Sequence, residues 1–108
     1  MAATLLKTNS VTVSAQDDAA SVAGIPSPGF VAVQVFGSMS ATITFEASVD
    51  GTNYVAFNMT PSNSGTDAST TTSAGAWTKS TGAYSAFRAR CSTYSSGSPV
   101  VTLRYSAQ

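Results

Sequence analysis

The sequence predicts an all-β protein, an antiparallel β-sandwich of jelly-roll or immunoglobulin-like type with about eight strands. Apolar and polar residues alternate along several short segments, turn-forming residues separate these segments, and no segment has the apolar periodicity of a helix. The paired cysteines that mark immunoglobulin domains are absent, since Cys91 is the one cysteine. The length of 108 residues fits a single domain, residues 1–108, in which residues 1–15 form an N-terminal arm or edge strand.

The clearest strand pattern covers residues 41–54, with the sequence ATITFEASVDGTNY. Apolar side chains such as Phe45 alternate with polar ones, which places the two sets on opposite faces of one strand. Asp50 and Gly51 then tolerate the dihedral angles of a tight turn. We therefore expect a hairpin whose second strand runs from residue 54 to residue 60.

The segments at the N-terminus are less regular. Residues 4–7 and 11–15 are two short extended candidates, and residues 16–24 suit a loop followed by a short strand. Leu5 and Leu6 lie in the N-terminal arm, and we expect them to pack on this domain or on a neighbouring chain.

A breaker sequence, Pro26–Gly29, is expected to form a tight turn into the next strand. Residues 30–37 carry apolar residues on both faces, so we expect a central strand whose outer face is covered or partly shielded. The turn at residues 37–40 is short, which favours antiparallel pairing of this strand with the one that starts at residue 41.

A low-complexity segment, residues 62–76, is rich in Ser, Thr, Gly and Ala. It is too polar to form core by itself, so we expect an exposed loop with one short strand at residues 68–72. Trp77 follows this loop directly. It either caps the end of the core or contacts a partner chain, because its large amphipathic ring suits both places.

The last third of the chain contains two more alternating segments, residues 85–93 and the strand that Pro99 opens. Residues 94–98 are expected to turn the chain between these strands, which would make them a hairpin. The side chains expected to face the core are Phe87, Ala89, Cys91, Val101, Leu103 and Tyr105.

Three of the five basic residues, Arg88, Arg90 and Arg104, are expected to share the outer face of that hairpin. One interpretation pairs them across strands with Glu46 and Asp50 on the same sheet. The other is a patch that meets an acidic surface on a neighbouring subunit. The candidate partner contacts are therefore Leu5, Leu6, Trp77, Arg88, Arg90 and Arg104.

Charged residues make up 9% of the chain, compared with roughly 25% in ordinary soluble domains, and the formal net charge is zero. Little charge keeps copies apart, which favours a protein that packs against copies of itself or against a larger assembly. A soluble module that tolerates low charge is the alternative. The chain also lacks the basic excess of a nucleic-acid-binding protein, so we expect no nucleic-acid partner.

The first residues, Met1–Lys7, lack the long apolar core of a signal peptide. No apolar run is long enough to span a bilayer. We therefore expect a protein that is made in a cytoplasm, stays soluble until it reaches its partner and has no membrane partner.

Candidate catalytic groups are few. The chain has no histidine, so Cys91 would lack the usual base that activates a thiol nucleophile. Glu46 and Asp50 share a strand face about 13 Å apart, which is wider than the carboxylate pairs of acid–base catalysis. The turn after Asp50 resembles part of a calcium loop, but a hairpin turn explains it. We expect no enzyme activity, no cofactor and no metal.

Several motifs combine a strand with a turn: FEASVDGTNY at residues 45–54, GAY at 82–84, FRAR at 87–90, YSSGS at 94–98 and VVTLR at 100–104. Together they resemble small β-sandwich structural proteins of tailed bacteriophages. The resemblance covers about residues 30–106 and matches the N-terminal arm and the low-complexity loop poorly. Because the motifs are turns and strands, it carries over no functional residues.

This resemblance implies a virion component that is made in the host cytoplasm. The first hypothesis is a capsid decoration (cement) protein, a trimer that binds the major capsid protein and stabilises the head shell. The second is an accessory protein of the tail, baseplate or fibre, which binds other virion subunits. A third, of another class, is a carbohydrate-binding β-sandwich module that stacks sugars on Trp77, Tyr84 or Tyr94.

Overall fold

The computed structural model of the protein describes residues 6–26, 29–63 and 65–107. These residues form ten β-strands and no helix, so the predicted all-β fold is confirmed. The strands are more numerous than expected because three of them are only two residues long. The strands are β1 Leu6–Thr12, β2 Ala19–Ala23, β3 Gly29–Phe36, β4 Met39–Ser48, β5 Val55–Ala56, β6 Thr60–Pro61, β7 Thr70–Thr71, β8 Gly75–Ser80, β9 Ala86–Gly97 and β10 Val100–Ala107.

The strands pack as two antiparallel sheets. Sheet 1 has the order β1-β10-β3-β8-β6, and sheet 2 has the order β2-β9-β4-β5, with β7 also paired to β4. Consecutive strands lie in opposite sheets at every step except from β4 to β5. An immunoglobulin sandwich keeps several successive strands side by side in one sheet, whereas this interleaving is the jelly-roll arrangement. The predicted β-sandwich is confirmed. Of the two topologies that the sequence left open, the jelly roll matches the observed strand connections.

Two predicted hairpins, one between β3 and β4 and one between β9 and β10, are wrong because consecutive strands alternate between the sheets. β3 and β4 lie in different sheets, and so do β9 and β10. Gly37 and Gly97 both have positive φ, 111° and 99°, and they redirect the chain from one sheet to the other. Gly97 also lies against a neighbouring turn, where an added Cβ would come within 2.5 Å of the carbonyl oxygen of Ser38. Each of these short connections therefore joins a strand of one sheet to a strand of the other, and not two neighbouring strands of the same sheet.

The predicted turn at residues 94–98 is also wrong, because β9 continues as a strand to Gly97. Its last part pairs with the start of β4, where Met39 lies opposite Gly97 and Ala41 opposite Tyr94. Two register shifts accommodate this extension, because the pairing with β4 passes over Ser95 and Ser92 of β9.

The N-terminal segments predicted as two short strands form one. All seven residues of β1 pair with β10, including the polar residues Thr8 to Ser10 that separate the two apolar parts. The loop and short strand expected at residues 16–24 are confirmed by β2, which follows Asp17 at a positive φ of 76°. Leu5, and the two central residues of the turn predicted at Pro26–Gly29, lie outside the described residues.

The hairpin after β4 is confirmed but short. Its second strand, β5, has two residues, Val55 and Ala56, followed by one hydrogen bond from the Phe57 N–H to the carbonyl oxygen of Phe45, and the chain then crosses to sheet 1 as β6. The loop at residues 62–76 is mostly exposed where it is described, and its predicted short strand is β7. β7 pairs with Ile43 and Thr44, so this loop extends sheet 2 beyond β4.

One apolar core lies between the sheets. The six side chains of the last third that were expected to face the core are all buried, including Cys91, whereas Val49, which alternation places on the same face as Phe45, is 67% exposed. The aromatic rings of Phe45 and Trp77 pack with centroids 5.1 Å apart. The hydroxyl of buried Tyr105 donates a hydrogen bond to the carbonyl oxygen of Pro26. The largest fully buried side chains are Tyr105, Phe45, Phe87, Ile43, Met59 and Leu103.

β3 is central in sheet 1, as its two apolar faces predicted, because β10 and β8 flank it. Of the two expectations for its outer face, a full cover is wrong within the described residues, and partial shielding describes the face. Phe30 remains 47% exposed and Phe36 69% exposed, since no other described segment crosses the outside of sheet 1.

Candidate functional site

The outer faces of the two sheets differ in charge. Arg88 and Arg90 lie on β9 and face outward from sheet 2, whereas Arg104 lies on β10 and faces outward from sheet 1. The prediction that the three arginines share a face is wrong, because the strands that carry them are not neighbours. The sandwich instead separates them onto opposite sides.

The outer face of sheet 2 carries an internal ion-pair cluster around Glu46. Arg88 Nε donates to Glu46 Oε1 at 2.6 Å, and Arg90 Nε donates to the same oxygen at 3.1 Å. Arg90 also pairs with Asp17 at 2.9 Å, which links β9 to the loop before β2. The Arg88 guanidinium lies 4.1 Å from the centroid of the Tyr54 ring. The predicted pairing of the arginines with Glu46 is thus confirmed for these two residues.

The electrostatics of this cluster favour its ionised state. Burial of the Glu46 carboxylate opposes ionisation, but hydrogen bonds and charges from Arg90 and Arg88 outweigh it, so the pKa of Glu46 is lowered. The hydrogen bond from Arg90 to Glu46 raises the pKa of Arg90 in turn. Because Arg88 and Arg90 are occupied with Glu46, they have less capacity to bind an external acidic surface.

Asp50 does not join this cluster. Its carboxylate accepts hydrogen bonds from the backbone N–H groups of Asn53 and Thr52, which lower its pKa and close the turn after β4. The other predicted pairing of the arginines, with Asp50, is therefore wrong.

The outer face of sheet 1 is nearly free of charge. Its central row, read across the strands, is Thr8, Arg104, Ala32 and Thr78, and the neighbouring row is Ser10, Thr102, Gln34 and Ala76. These side chains are small or uncharged with the exception of Arg104. The face is therefore a mainly polar surface with one cation near its centre.

Three of the five large apolar side chains that the described residues expose also lie on this face. Leu6, which is 48% exposed, and Phe30 flank Ser106 at one end of the face, while Phe36 lies beside Val100 at the other. The sequence pattern identified Leu6 as a candidate contact but missed Phe30 and Phe36. Their signal in the sequence is the doubly apolar pattern of β3, which predicts a covered or partly shielded outer face as readily as an exposed one.

Arg104 has no ion-pair or hydrogen-bonding partner within the described part of the chain. The other four basic side chains are all engaged: Lys7 donates to the carbonyl of Ala23, Lys79 pairs with Asp67, and Arg88 and Arg90 hold Glu46. Among the described residues, Arg104 is thus the one basic side chain left available to another molecule.

A depression of about 270 Å³ lies beside Arg104 on this face, with Ala32, Gln34, Thr78 and Thr102 in its walls. Trp77 contributes to its lining from within the core, where only 7% of this residue is exposed. Trp77 is therefore mainly a core residue. Only the small part of its side chain that lines the depression is accessible to a partner.

The aromatic side chains proposed as a sugar platform are not arranged as one. Trp77 is buried, and Tyr84 packs edge-on against Phe57 and Phe87 with centroids 5.2 and 5.9 Å away. Tyr94 is half-buried, and its hydroxyl donates to the carbonyl of Gly97. These contacts hold the rings within the sandwich.

Reactive and metal-binding groups are not assembled in the described residues. Cys91 is fully buried, and its burial raises the pKa of the thiol, which keeps it protonated. No group of three or more acidic or cysteine side chains comes together there to hold a metal ion. Across the same residues, no helix has the length and apolarity to cross a membrane.

Fold and surface together define a small jelly-roll sandwich in which three of the five large apolar residues exposed among the described residues lie on the nearly uncharged outer face of sheet 1. The sequence matches no protein-family model and no curated protein. Its structure is similar to the crystal structure of SPBc2 prophage-derived protein YomS, with a TM-score of 0.70 over 97% of this chain and 98% of that chain. The two sequences are 14% identical, so the likeness is one of fold.

Proposed function

We propose that the protein is a structural component of a phage particle, and specifically a head decoration protein that binds capsid subunits on the outside of the shell. The observation that carries this proposal is the outer face of sheet 1, which combines a polar surface that carries one charge, Arg104, with three exposed large apolar side chains. Such a composition suits adhesion between protein surfaces. The fold shared with a prophage-derived protein supports the phage setting.

The proposed mechanism is cementing. A copy that binds only the assembled shell adds its binding free energy to the work needed to loosen that shell. Symmetry repeats the same site over the whole surface, so many modest contacts act together. We further propose that the copies are grouped as trimers, since a chain of zero net charge has little electrostatic repulsion between its subunits.

Particle composition tests the proposal. Quantitative mass spectrometry of purified particles from a phage that carries this gene is expected to find on the order of hundreds of copies per particle. A few copies to tens of copies would indicate a tail, baseplate or fibre accessory protein instead. Absence of the chain from the particles would contradict a virion role.

Shell stability gives a second measurement. Particles assembled without the protein are expected to release their DNA at a lower temperature than complete particles, because the shell loses the added binding free energy. Adding the purified chain back is expected to restore the release temperature. Equal release temperatures with and without the chain would contradict a cementing role.

A further inference from the structure

We propose that the outer face of sheet 1 is the docking surface, and that its partner is a virion subunit other than this chain that presents a carboxylate to Arg104. This inference rests on the proposed function and adds the surface and the chemistry of its partner. It predicts a partner surface that is otherwise uncharged, because the rows around Arg104 consist of small and neutral side chains.

Charge complementarity is the first support. Arg104 is exposed at the centre of the face, beside the depression of about 270 Å³, and has no partner in the described part of the chain. An arginine offers a planar fork of donors that matches a carboxylate in two parallel hydrogen bonds. The threonine side chains around it, Thr8, Thr78 and Thr102, offer hydroxyl groups and no competing charge.

The second support is that every acidic side chain of a further copy of this chain would already be engaged. Asp17 and Glu46 pair with arginines, and Asp67 pairs with Lys79. Asp18 accepts from the backbone N–H groups of Ser14 and Ala15, and Asp50 closes its own turn. These are all five acidic side chains of the sequence. A two-fold copy packed on the same face would also bring two Arg104 side chains together.

Apolar anchors at both ends of the face are the third support. Phe30 and Phe36 lie on β3 on either side of the row that contains Arg104, separated by about 20 Å at ~3.4 Å per residue. Aromatic and arginine side chains are the types that contribute most to protein interfaces. Two rings and a central guanidinium therefore define three points of attachment on one surface.

The size of the face fits a contact that is repeated many times. The five strands of sheet 1 contain 31 residues together, which at ~3.4 Å per residue and ~4.8 Å between strands gives an area of about 500 Å². A stable pairwise complex buries about 800 Å² on each partner. A single copy is therefore expected to bind moderately, and the lattice of sites on a shell supplies the rest through avidity.

A binding experiment on intact particles tests this proposal. Particles produced with the gene deleted are the probe, and the purified chain is titrated onto them and measured by co-sedimentation. R104Q is expected to weaken binding by at least ~30-fold, as for the loss of one partner of a buried charge pair, and R104E by more. R104K is expected to fall between wild type and R104Q, because it keeps the charge without the fork.

Matched controls separate this face from general effects. T66E adds a negative charge in the exposed loop, and V49S removes an apolar side chain that is 67% exposed, close to the 69% of Phe36. Both are expected to bind within ~2-fold of wild type, whereas F36S is expected to bind at least ~10-fold more weakly. Thermal unfolding of each variant verifies that the fold is retained.

Photo-crosslinking identifies the partner directly. Benzoylphenylalanine at position 36 is expected to crosslink the chain to a different virion subunit, and the same group at position 49 is not. The mass of the free chain, measured by light scattering, is expected to be unchanged by R104E.

Three results would overturn the inference. R104E and F36S could bind as tightly as wild type, the crosslink at position 36 could join two copies of this chain, or R104E could dissociate an oligomer of the free chain. Failure of the wild-type chain to bind the particles at all is distinguishable, because it would contradict the proposed function itself and the inference with it.

Discussion

At the scale of single residues, Glu46 organises the outer face of sheet 2. It is 8% exposed, and its two carboxylate oxygens accept hydrogen bonds from side chains of two different arginines. Because Arg90 also reaches Asp17, the same carboxylate joins β4, β9 and the loop before β2. The cluster therefore fixes the relative position of three chain segments that lie far apart in the sequence.

Replacing Glu46 by glutamine is expected to lower the free energy of unfolding by about 1–3 kcal/mol, because two partly buried guanidinium groups lose their counter-charge. Asp67→Asn is the control: it breaks an ion pair whose partners are 37% and 39% exposed, so a change below about 1 kcal/mol is expected. Chemical denaturation of both variants measures the difference. Equal losses would show that the cluster contributes no more than an exposed pair.

Gly97 is a second residue with a demanding position. Gly97→Ala is expected to destabilise the protein by about 2 kcal/mol or more, because it adds a backbone clash to the strain of a positive φ. Gly82→Ala is the comparison, since φ there is also positive, at 56°, but no atom lies within 4 Å of the added Cβ. Thermal unfolding is expected to show the smaller loss for Gly82→Ala, and the reverse order would contradict the clash.

At the scale of elements, β1 closes one edge of the sandwich. It pairs with β10 inside sheet 1, and it is tied to β2 of sheet 2 by inward-facing polar side chains. Asn9 Oδ1 accepts from the backbone N–H of Ser21 at 2.9 Å, and Lys7 Nζ donates to the carbonyl of Ala23 at 2.7 Å. These two hydrogen bonds join strands that belong to different sheets.

Asn9→Ala is expected to loosen this edge without unfolding the molecule. The N–H of Ser21 would lose its acceptor, so amides of β1 and β2 are expected to exchange hydrogen faster, by roughly 5- to 10-fold for a bond worth about 1 kcal/mol. Hydrogen-exchange mass spectrometry measures this by segment. Thr12→Ala, on the outward face of the same strand, is expected to leave exchange unchanged, and equal effects would assign no special role to Asn9.

Local alternation predicted which way the side chains face. Residues such as Val33, Phe45, Phe87 and Leu103 are buried where the every-other-residue pattern places them, because sidedness depends only on neighbours in the chain. Pairing depends on segments that are distant in the sequence. The connection through Gly37 is as short as a hairpin loop but crosses between sheets, and no local signal distinguishes the two outcomes.

The candidate docking surface was only partly predictable for the same reason. Alternation placed Arg104 on an outer face, and it also placed Arg88 there, but only the strand order separates the two. The apolar outer residues Phe30 and Phe36 were visible in the sequence. Their exposure depends on the absence of a covering segment among the described residues, which is a property of the whole topology.

At the scale of the whole molecule, stability below about pH 8 is expected to depend on pH only in the acid range. The chain has no histidine, so little titrates between about pH 6 and pH 8. Folding lowers the pKa values of Glu46, Asp50 and Asp67 from unfolded values of 4.5, 3.8 and 3.8. A carboxylate with a lowered pKa stabilises the fold above its unfolded value, and this contribution is lost as the pH falls.

The unfolding temperature is therefore expected to be flat from about pH 8 to pH 6 and to fall below about pH 4.5. Glu46→Gln is expected to show a shallower acid decrease, since one of the linked groups has been removed. Differential scanning calorimetry across the pH range measures both effects. A decrease between pH 8 and pH 6 would point to a titrating group other than these three carboxylates.

The pairing of β1 with β10 has a consequence for how the protein bears force. Leu6 lies opposite Ser106, so both ends of the sandwich emerge at one corner of sheet 1. Tension applied to the two ends would unzip these strands one rung at a time, which requires little force at any moment. A load that enters through the outer face would instead be shared among all five strands of the sheet. The same sandwich is thus a compliant link when pulled by its termini and a stiff one when held by its face.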